Sequence, residues 1–365
     1  MPGERNPFKP SAGSDPPLLV GREALLDGFI ESIEDGPGAP GRATIFTGPR
    51  GVGKTVMLNA VAERVQAGHQ WRVIHETATP GLLERLTARA AALAAPGGAG
   101  RPVTGLTVAG LGGISLAAPA PPVELGLRDA LGALLDGLES RGTGLLITLD
   151  EVHAPLRDEL RQFAAVIQHL AREGRDVAVA LAGLPSGVSD LLNDQVTTFL
   201  RRAERHVLGD VSLAEVRRAF EQTVTAHGRS ITGAALDMAS AATGGYPFMI
   251  QLVGYHVWRA GTGGGIVLDD ARAGVEAARS RLETLVHATA MADLSEVDRE
   301  FLAAMAQDKD ASPVDALAER MGRSASYVSV YRRRLIEAGL IAPAGRGRVR
   351  FALPFLGEYL RRGEE

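Results

Sequence analysis

RATIFTGPRGVGKT, residues 42–55, is the stretch on which the fold turns. Ala43 to Phe46 is a short apolar run of the kind that forms a strand buried on both faces. It feeds Gly48, four further residues, then Gly53, Lys54 and Thr55, which is the spacing of a phosphate-wrapping loop. Each position has a physical reason. A loop that turns its backbone N–H groups inward needs residues tolerant of positive φ and of close approach, hence Gly48, Gly51 and Gly53, with Pro49, Arg50 and Val52 between them. Val56 to Gln66 is apolar at helical spacing, and the positive end of that helix dipole favours an anion. Lys54 would reach the β and γ phosphates of ATP, and Thr55 would hold Mg²⁺. The expected nucleotide-binding set is therefore Gly48 through Val56, taking ATP and ADP.

Composition sharpens the role of Lys54. Lysine and arginine together number 39, yet only Lys9, Lys54 and Lys309 are lysines. In a chain so biased toward arginine, a lysine kept in the loop fits the need for a compact ammonium where a planar guanidinium does not fit. The same bias, which looks like that of a GC-rich genome, lowers the weight of any single arginine. At 365 residues, 45% hydrophobic and 22% charged, the chain has room for two or three globular domains. No cysteine is present, so disulfides and cysteine-based zinc sites are excluded. The polar, proline-rich opening is no signal peptide and no apolar run is long enough to span a membrane, so a soluble cytoplasmic protein is expected.

Residues 1–17, with five prolines, read as a flexible N-terminal arm or extended strap. Glu23 to Asp35 reads as a helix with Leu25, Leu26, Phe29 and Ile33 on one face. Beyond the loop helix, Trp71 to His75 reads as a strand and Pro80 to Ala95 as a helix. Residues 96–122, rich in Gly, Ala and Pro, read as an inserted hairpin or loop. Leu145 to Leu149 is a fully apolar strand ending in Asp150 and Glu151. In an open parallel sheet the ligand sits at the carboxyl ends of strands, so Asp150 is placed to hold Mg²⁺ and Glu151 to polarise the attacking water. Asp176 to Ala182 is a further strand with no polar residue at its end, which leaves Ser186 as the nearest γ-phosphate sensor candidate. Arg201 and Arg202 precede a short strand, His206 to Leu208, and are placed either to reach a neighbouring subunit's phosphate or to serve as surface charge.

Taken together, GREALL, TGPRGVGKT, LLITLDEV, LAGLP and FLRRAERHVL, in that order, resemble the AAA+ ATPases of the archaeal-ATPase and origin-recognition-like group over about residues 18–290. The resemblance implies an α/β fold: a P-loop parallel sheet over residues 18–211, a helical lid over 212–290, and an adenine contact from Val20, Gly21 and Arg22. In one place the chain departs from the group. Where related initiators carry a lid arginine, this chain reads Gly244, Gly245, Tyr246, Pro247, which implies a missing second sensor and slow hydrolysis.

Residues 291–365 change character. Glu296 to Met305, a helix capped by Ser312 that begins at Pro313, and a helix capped by Ser324 precede Leu340 to Leu353, which alternates around a Gly345 to Gly347 turn. Three helices and a hairpin in this order resemble a winged helix-turn-helix. Residues 320–362 hold ten arginines and two glutamates, in a chain whose net charge is −4. Ser326, Ser329, Arg332 and Arg333, opposite Val328, Tyr331 and Leu335, would face a major groove, and Arg346, Arg348 and Arg350 would meet phosphates. The reading is an ATP-operated switch that binds double-stranded DNA. The alternative is a regulatory or defence-type NTPase whose winged helix docks a protein partner, and either reading allows a homo-oligomer.

Overall fold

The computed structural model describes residues 5–11, 19–95, 126–152, 156–192, 200–262, 264–292 and 294–362. The insertion read at 96–122 lies outside them.

The first domain alternates helix and strand: α1 (Glu23–Glu34), β1 (Ala43–Thr47), α2 (Lys54–His69), β2 (Arg72–Thr77), α3 (Leu82–Ala94), α4 (Leu127–Glu139), β3 (Leu145–Asp150), α5 (Arg157–Arg172), β4 (Val177–Gly183), α6 (Pro185–Leu192) and β5 (Glu204–Val207). The strands form one parallel sheet in the order β2-β3-β4-β1-β5. β1 and β4 are buried along their whole length, which is why their sequences are unbroken apolar or small runs rather than alternating ones. Leu82, Leu86, Leu131, Leu135 and Phe163 cover one face of the sheet, and Phe29, Met57, Val61 and Val65 cover the other. This is the P-loop AAA+ arrangement. β1 and β3, adjacent to β4 on either side, deliver the phosphate loop and the Asp-Glu pair to one edge.

The lid is α7 (Leu213–Ala226), α8 (Gly233–Ala242), α9 (Pro247–Ala260) and α10 (Leu268–Leu282), with a two-residue pairing of β6 (Ser230–Ile231) and β7 (Gly265–Ile266). Its core centres on Tyr246, Met249, Val253 and Leu236. Residues 5–11 of the N-terminal segment dock here as an extended strap. Phe8 is 4% exposed, meets Phe220 edge-on at 5.6 Å, and occupies the space above Gly254, where a Cβ would stand 2.3 Å from its ring. Burying one such side chain stabilises by about 1.5–3 kcal/mol, enough to hold a short strap that has no secondary structure of its own.

α10 runs through a π-turn (Glu283–His287) into α11 (Ala288–Ala292) and the C-terminal module. That module is α12 (Glu296–Ala306), β8 (Ala311–Pro313), α13 (Val314–Arg320), α14 (Ala325–Glu337), β9 (Ile341–Pro343), β10 (Arg348–Phe351) and α15 (Leu356–Arg362). β10 lies between β8 and β9, antiparallel to both. Ser312 does not cap a helix. It sits in β8 with its hydroxyl donating to the Met305 carbonyl, because the backbone there is taken up by the third wing strand, and α13 starts behind Pro313. Ser324 does cap α14, accepting from the Tyr327 amide. No helix among the described residues is long and apolar enough to cross a membrane.

Candidate functional site

A cavity of about 590 Å³ opens where sheet edge, lid and N-terminal strap meet. Its wall includes Arg50, Gly51, Val52, Gly53, Lys54, Thr55 and Val56 of the loop, Asp150 and Glu151, Leu19, Val20 and Arg22, Gly183 and Leu184, and Pro247, Phe248, Ile250 and Gln251 of the lid. Gly48 and Pro49 contribute their carbonyls, which accept from Lys54 Nζ at 2.9 and 2.7 Å. The ammonium is thus folded onto its own loop. Burial brings its pKa down to about 8, with Asp150 opposing the shift and Arg50 adding to it.

The loop's glycines are required by its neighbours. Gly51 has φ +75°, and a Cβ there would lie 1.9 Å from the Tyr246 hydroxyl, which donates to the Arg50 carbonyl at 3.1 Å. The Phe248 amide donates to the Gly51 carbonyl at 3.2 Å. The Gly244-Gly245-Tyr246-Pro247 stretch therefore clamps the lid onto the loop through a buried phenol, which burial keeps protonated well past the ordinary tyrosine range.

At the strand end, Thr55 Oγ1 donates to Asp150 Oδ2 at 2.5 Å, and the Glu151 amide donates to Asp150 Oδ1 at 2.8 Å. Among the described residues Glu151 is one of three non-glycine residues with positive φ, at +56°, a conformation that costs about 1–2 kcal/mol and is seen where function needs a particular side-chain direction. A hydroxyl and a carboxylate converging this closely are hard oxygen donors suited to Mg²⁺, which characteristically takes few protein ligands and completes its shell with phosphate and water. No cluster of three His, Cys, Asp or Glu side chains that could hold a metal occurs among the described residues. Ser186 is outside the cavity lining, because β4 ends at Gly183 and the chain turns at once into α6.

Val20 packs on the lid core and Leu19 on the sheet core, so the two bridge the cleft, and Gly21 carries φ +66° between them and α1. The Arg22 guanidinium donates to the Gly209 carbonyl and faces Asp210 and Glu215. Arg201 and Arg202 form a 3₁₀ turn before β5, both exposed, with Arg201 Nε donating to the Leu192 carbonyl at 2.7 Å. The last strand begins at Glu204, two residues earlier than its apolar content predicts, so Arg205 lies within it.

The C-terminal module packs against residues of the cavity wall. Gly339, just past α14, packs against Leu184 and the Arg50 guanidinium, two residues of the cavity wall. Arg350 of β10 acts on Asp210, whose carboxyl burial raises and which Arg350 and Arg22 pull back down. The Phe355 ring packs beneath Gly244. Buried His287 contacts the Pro354 carbonyl at 3.0 Å, so its Nε2 carries the proton, and burial lowers its pKa below the ordinary histidine value.

The basic residues expected to meet DNA are not equivalent. Ser326, Ser329 and Arg333 are exposed, as is Arg346 in the wing turn. Arg332, expected on the outer face, is half-buried, with Nε sealed from water and without a hydrogen-bond partner, since it stands one turn beyond fully buried Val328. Arg348 and Arg350 are exposed as well, but Arg348 donates to the Ala311 carbonyl at 2.7 Å and Arg350 lies near enough to Asp210 to lower its pKa. Sequence reasoning missed Lys9, Pro10 and Ser11, which also line the cavity, along with Tyr246 and Gln251. The scarcity of lysine was the one signal that pointed to Lys9.

A profile of the AAA ATPase domain matches residues 18–182, and one described as a domain of unknown function, DUF8462, matches residues 284–360. No curated protein matches. Among solved structures, a Walker-type ATPase of Pyrococcus abyssi is 15% identical over 94% of this chain and 96% of that chain, with a TM-score of 0.65. The ORC2 protein of Aeropyrum pernix, solved as ADPNP-ADP complexes, is 17% identical over 97% of this chain and 96% of that chain, with a TM-score of 0.58. At such identities the likeness is one of fold.

Proposed function

Since residues 18–182 are an AAA ATPase domain and the chain has an origin-recognition-like AAA+ fold, we propose that it is an ATP-operated switch that couples nucleotide state to duplex DNA binding by its C-terminal winged helix. The observation that carries this reading is the contact of the module with the cavity wall, Gly339 against Leu184 and Arg50. A change in the loop on binding phosphate is felt at the end of α14 without any intermediary.

In the bound state Lys54 leaves its own carbonyls for the β and γ phosphates, and Gly51 to Val56 supply backbone N–H groups. Thr55 and Asp150 would hold Mg²⁺, which when bound neutralises phosphate charge. Glu151, aimed by its left-handed backbone, orients the attacking water and takes up its proton. Turnover is slow, because the lid offers Tyr246 where an arginine would stabilise charge on the transferred phosphoryl group. Leu19, Val20 and Arg22 border the base. Arg201 and Arg202, exposed beside the edge strand, act on a second copy's phosphate if the chain assembles into a homo-oligomer.

The exposed Arg333 and Arg346, with Ser326 and Ser329, are the DNA face. A titration of duplex DNA with ATP, ADP and no nucleotide at two salt concentrations tests the proposal. Affinity should differ between nucleotide states and fall steeply with salt. Equal, salt-independent or absent binding in all three states would sink it. A second reading, in which the module docks a protein, is favoured by Val330, 63% exposed on α14 beside exposed Tyr327. Binding that survives high salt and involves Val330 would select that reading.

A further inference from the structure

Two of the three lysines in the chain, Lys9 and Lys54, line one cavity. We propose that Lys9 is a nucleotide-contacting residue, a second ammonium of the triphosphate pocket that the N-terminal strap delivers from the lid side. The proposal rests on the reading of the cavity as the ATP site.

The strap is held in place on each side of Lys9. Asn6 Nδ2 donates to the Tyr255 carbonyl at 2.9 Å and its side-chain oxygen accepts from the Phe8 amide at 3.0 Å, while the Phe8 ring is sunk in the lid core. The Lys9 amide then donates to Gln251 Oε1 at 3.2 Å. These contacts consume the backbone and the neighbours of Lys9 and leave its side chain exposed at the cavity. Among the described residues the ammonium has no hydrogen-bond or ion-pair partner. Lys54, by contrast, is bonded to its own loop.

Position decides which part of the nucleotide Lys9 meets. Phe248, whose amide touches Gly51, and Gln251, which holds Lys9, lie on α9 within one helical turn of each other, a rise of about 5 Å. Lys9 is therefore held about one turn along α9 from the point where the helix touches the loop, in a cavity that Leu19 and Val20 also line. Lys54 takes the β and γ end, and Lys9 meets the ribose and α-phosphate section. Charge agrees with this placement. The lining carries four cations, Lys9, Arg22, Arg50 and Lys54, against Asp150 and Glu151, an excess that matches the dianionic Mg-ATP complex. An ammonium on a flexible stem suits a contact formed only when ligand arrives, whereas a guanidinium is larger and planar.

Fluorescent-nucleotide titrations of the full chain, with unlabelled ADP and ATP as competitors, test the proposal. Lys9→Ala should weaken ADP and ATP alike by about ten-fold, the size of one charge-assisted hydrogen bond, with the melting temperature of the nucleotide-free protein unchanged. Lys9→Arg should recover part of the loss. Phe8→Ala, which frees the strap, should weaken binding too, and adding Lys9→Ala to it should cost little more, since both remove the same contact. If wild-type protein bound no nucleotide, or Lys54→Ala bound as well as wild type, the ATP-site reading itself would fail. If Lys54→Ala abolished binding while Lys9→Ala stayed within two-fold of wild type, that reading would stand and Lys9 would have no part in it. A loss confined to ATP would overturn the assignment to the ribose and α-phosphate section.

Discussion

Lys54 gives the nucleotide site a pH dependence whose sign and size follow from its surroundings. Burial places its pKa at about 8 in the free protein. The polyphosphate needs the charged form, so above that value binding must be accompanied by proton uptake, and affinity falls as pH rises. If the neutral amine contributes nothing, the dissociation constant for ADP should increase about ten-fold from pH 7 to pH 9, and proton uptake should grow from about 0.1 to about 0.9 per nucleotide. Calorimetric titration with saturating Mg²⁺, in two buffers of different ionisation heat, reads both quantities from one protein. Lys54→Arg, which stays charged throughout, should bind more weakly and lose the dependence. The sign reverses for stability of the nucleotide-free fold. The unfolded chain holds the proton up to about 10.5, so between about 8 and 10.5 it binds more protons than the native state and stability rises with pH. A dissociation constant flat from pH 7 to pH 9 with no proton uptake would refute the burial argument.

Glu151→Gln should keep nucleotide affinity within about two-fold and slow turnover by about 10²-fold or more, and a wild-type rate would remove Glu151 from the water-orienting role. Gly51→Ala should abolish nucleotide binding and destabilise the protein by about 1–3 kcal/mol, because its methyl would fall 1.9 Å from the Tyr246 hydroxyl at φ +75°; thermal melting unchanged from wild type would show the lid clamp to be loose. Arg346→Ala should weaken DNA binding of any sequence and reduce the salt slope by about one unit, while Arg350→Ala should change the slope less, since Asp210 already faces that charge; equal slopes would show Arg350 turned outward on DNA.

The nucleotide half of the molecule was legible because its chemistry is local. β1, the loop and α2 are contiguous, so spacing alone places Gly48, Lys54 and Thr55 around one point, and the apolar run before Asp150 and Glu151 can only be a central strand ending at the same edge. What spacing cannot show is which distant segment closes the site. Tyr246 reaches the loop across 196 residues of sequence and Asn6 is fixed by Tyr255 across 249, and neither contact leaves a periodic trace. The docking of the strap lay beyond the sequence for a related reason. Its composition is that of a mobile arm, but a single phenylalanine with a glycine-floored slot in the lid outweighs composition, and the slot at Gly254 is invisible without the fold.

The wing shows the limit of counting charge. Ten arginines between residues 320 and 362 read as one basic face, yet a guanidinium counts toward an anion only if nothing on its own protein has claimed it. Arg320 is paired with Asp308 at 2.7 Å, Arg334 with Asp298 at 3.2 Å and Arg362 with Glu283 at 2.8 Å. Arg348 and Arg350 face the Ala311 carbonyl and Asp210. Half the charge that suggested a nucleic-acid surface thus holds the module together or fastens it to the lid and ATPase domain. That diversion weakens an argument from net charge and strengthens one from coupling. The α14 terminus packs on Leu184 and Arg50 of the cavity wall, and Arg350 acts electrostatically on Asp210 next to Val211 of that wall, so movement of the module away from the ATPase core should be felt at the nucleotide site. A DNA that pulls the module away must then change nucleotide affinity by the same factor that nucleotide changes DNA affinity.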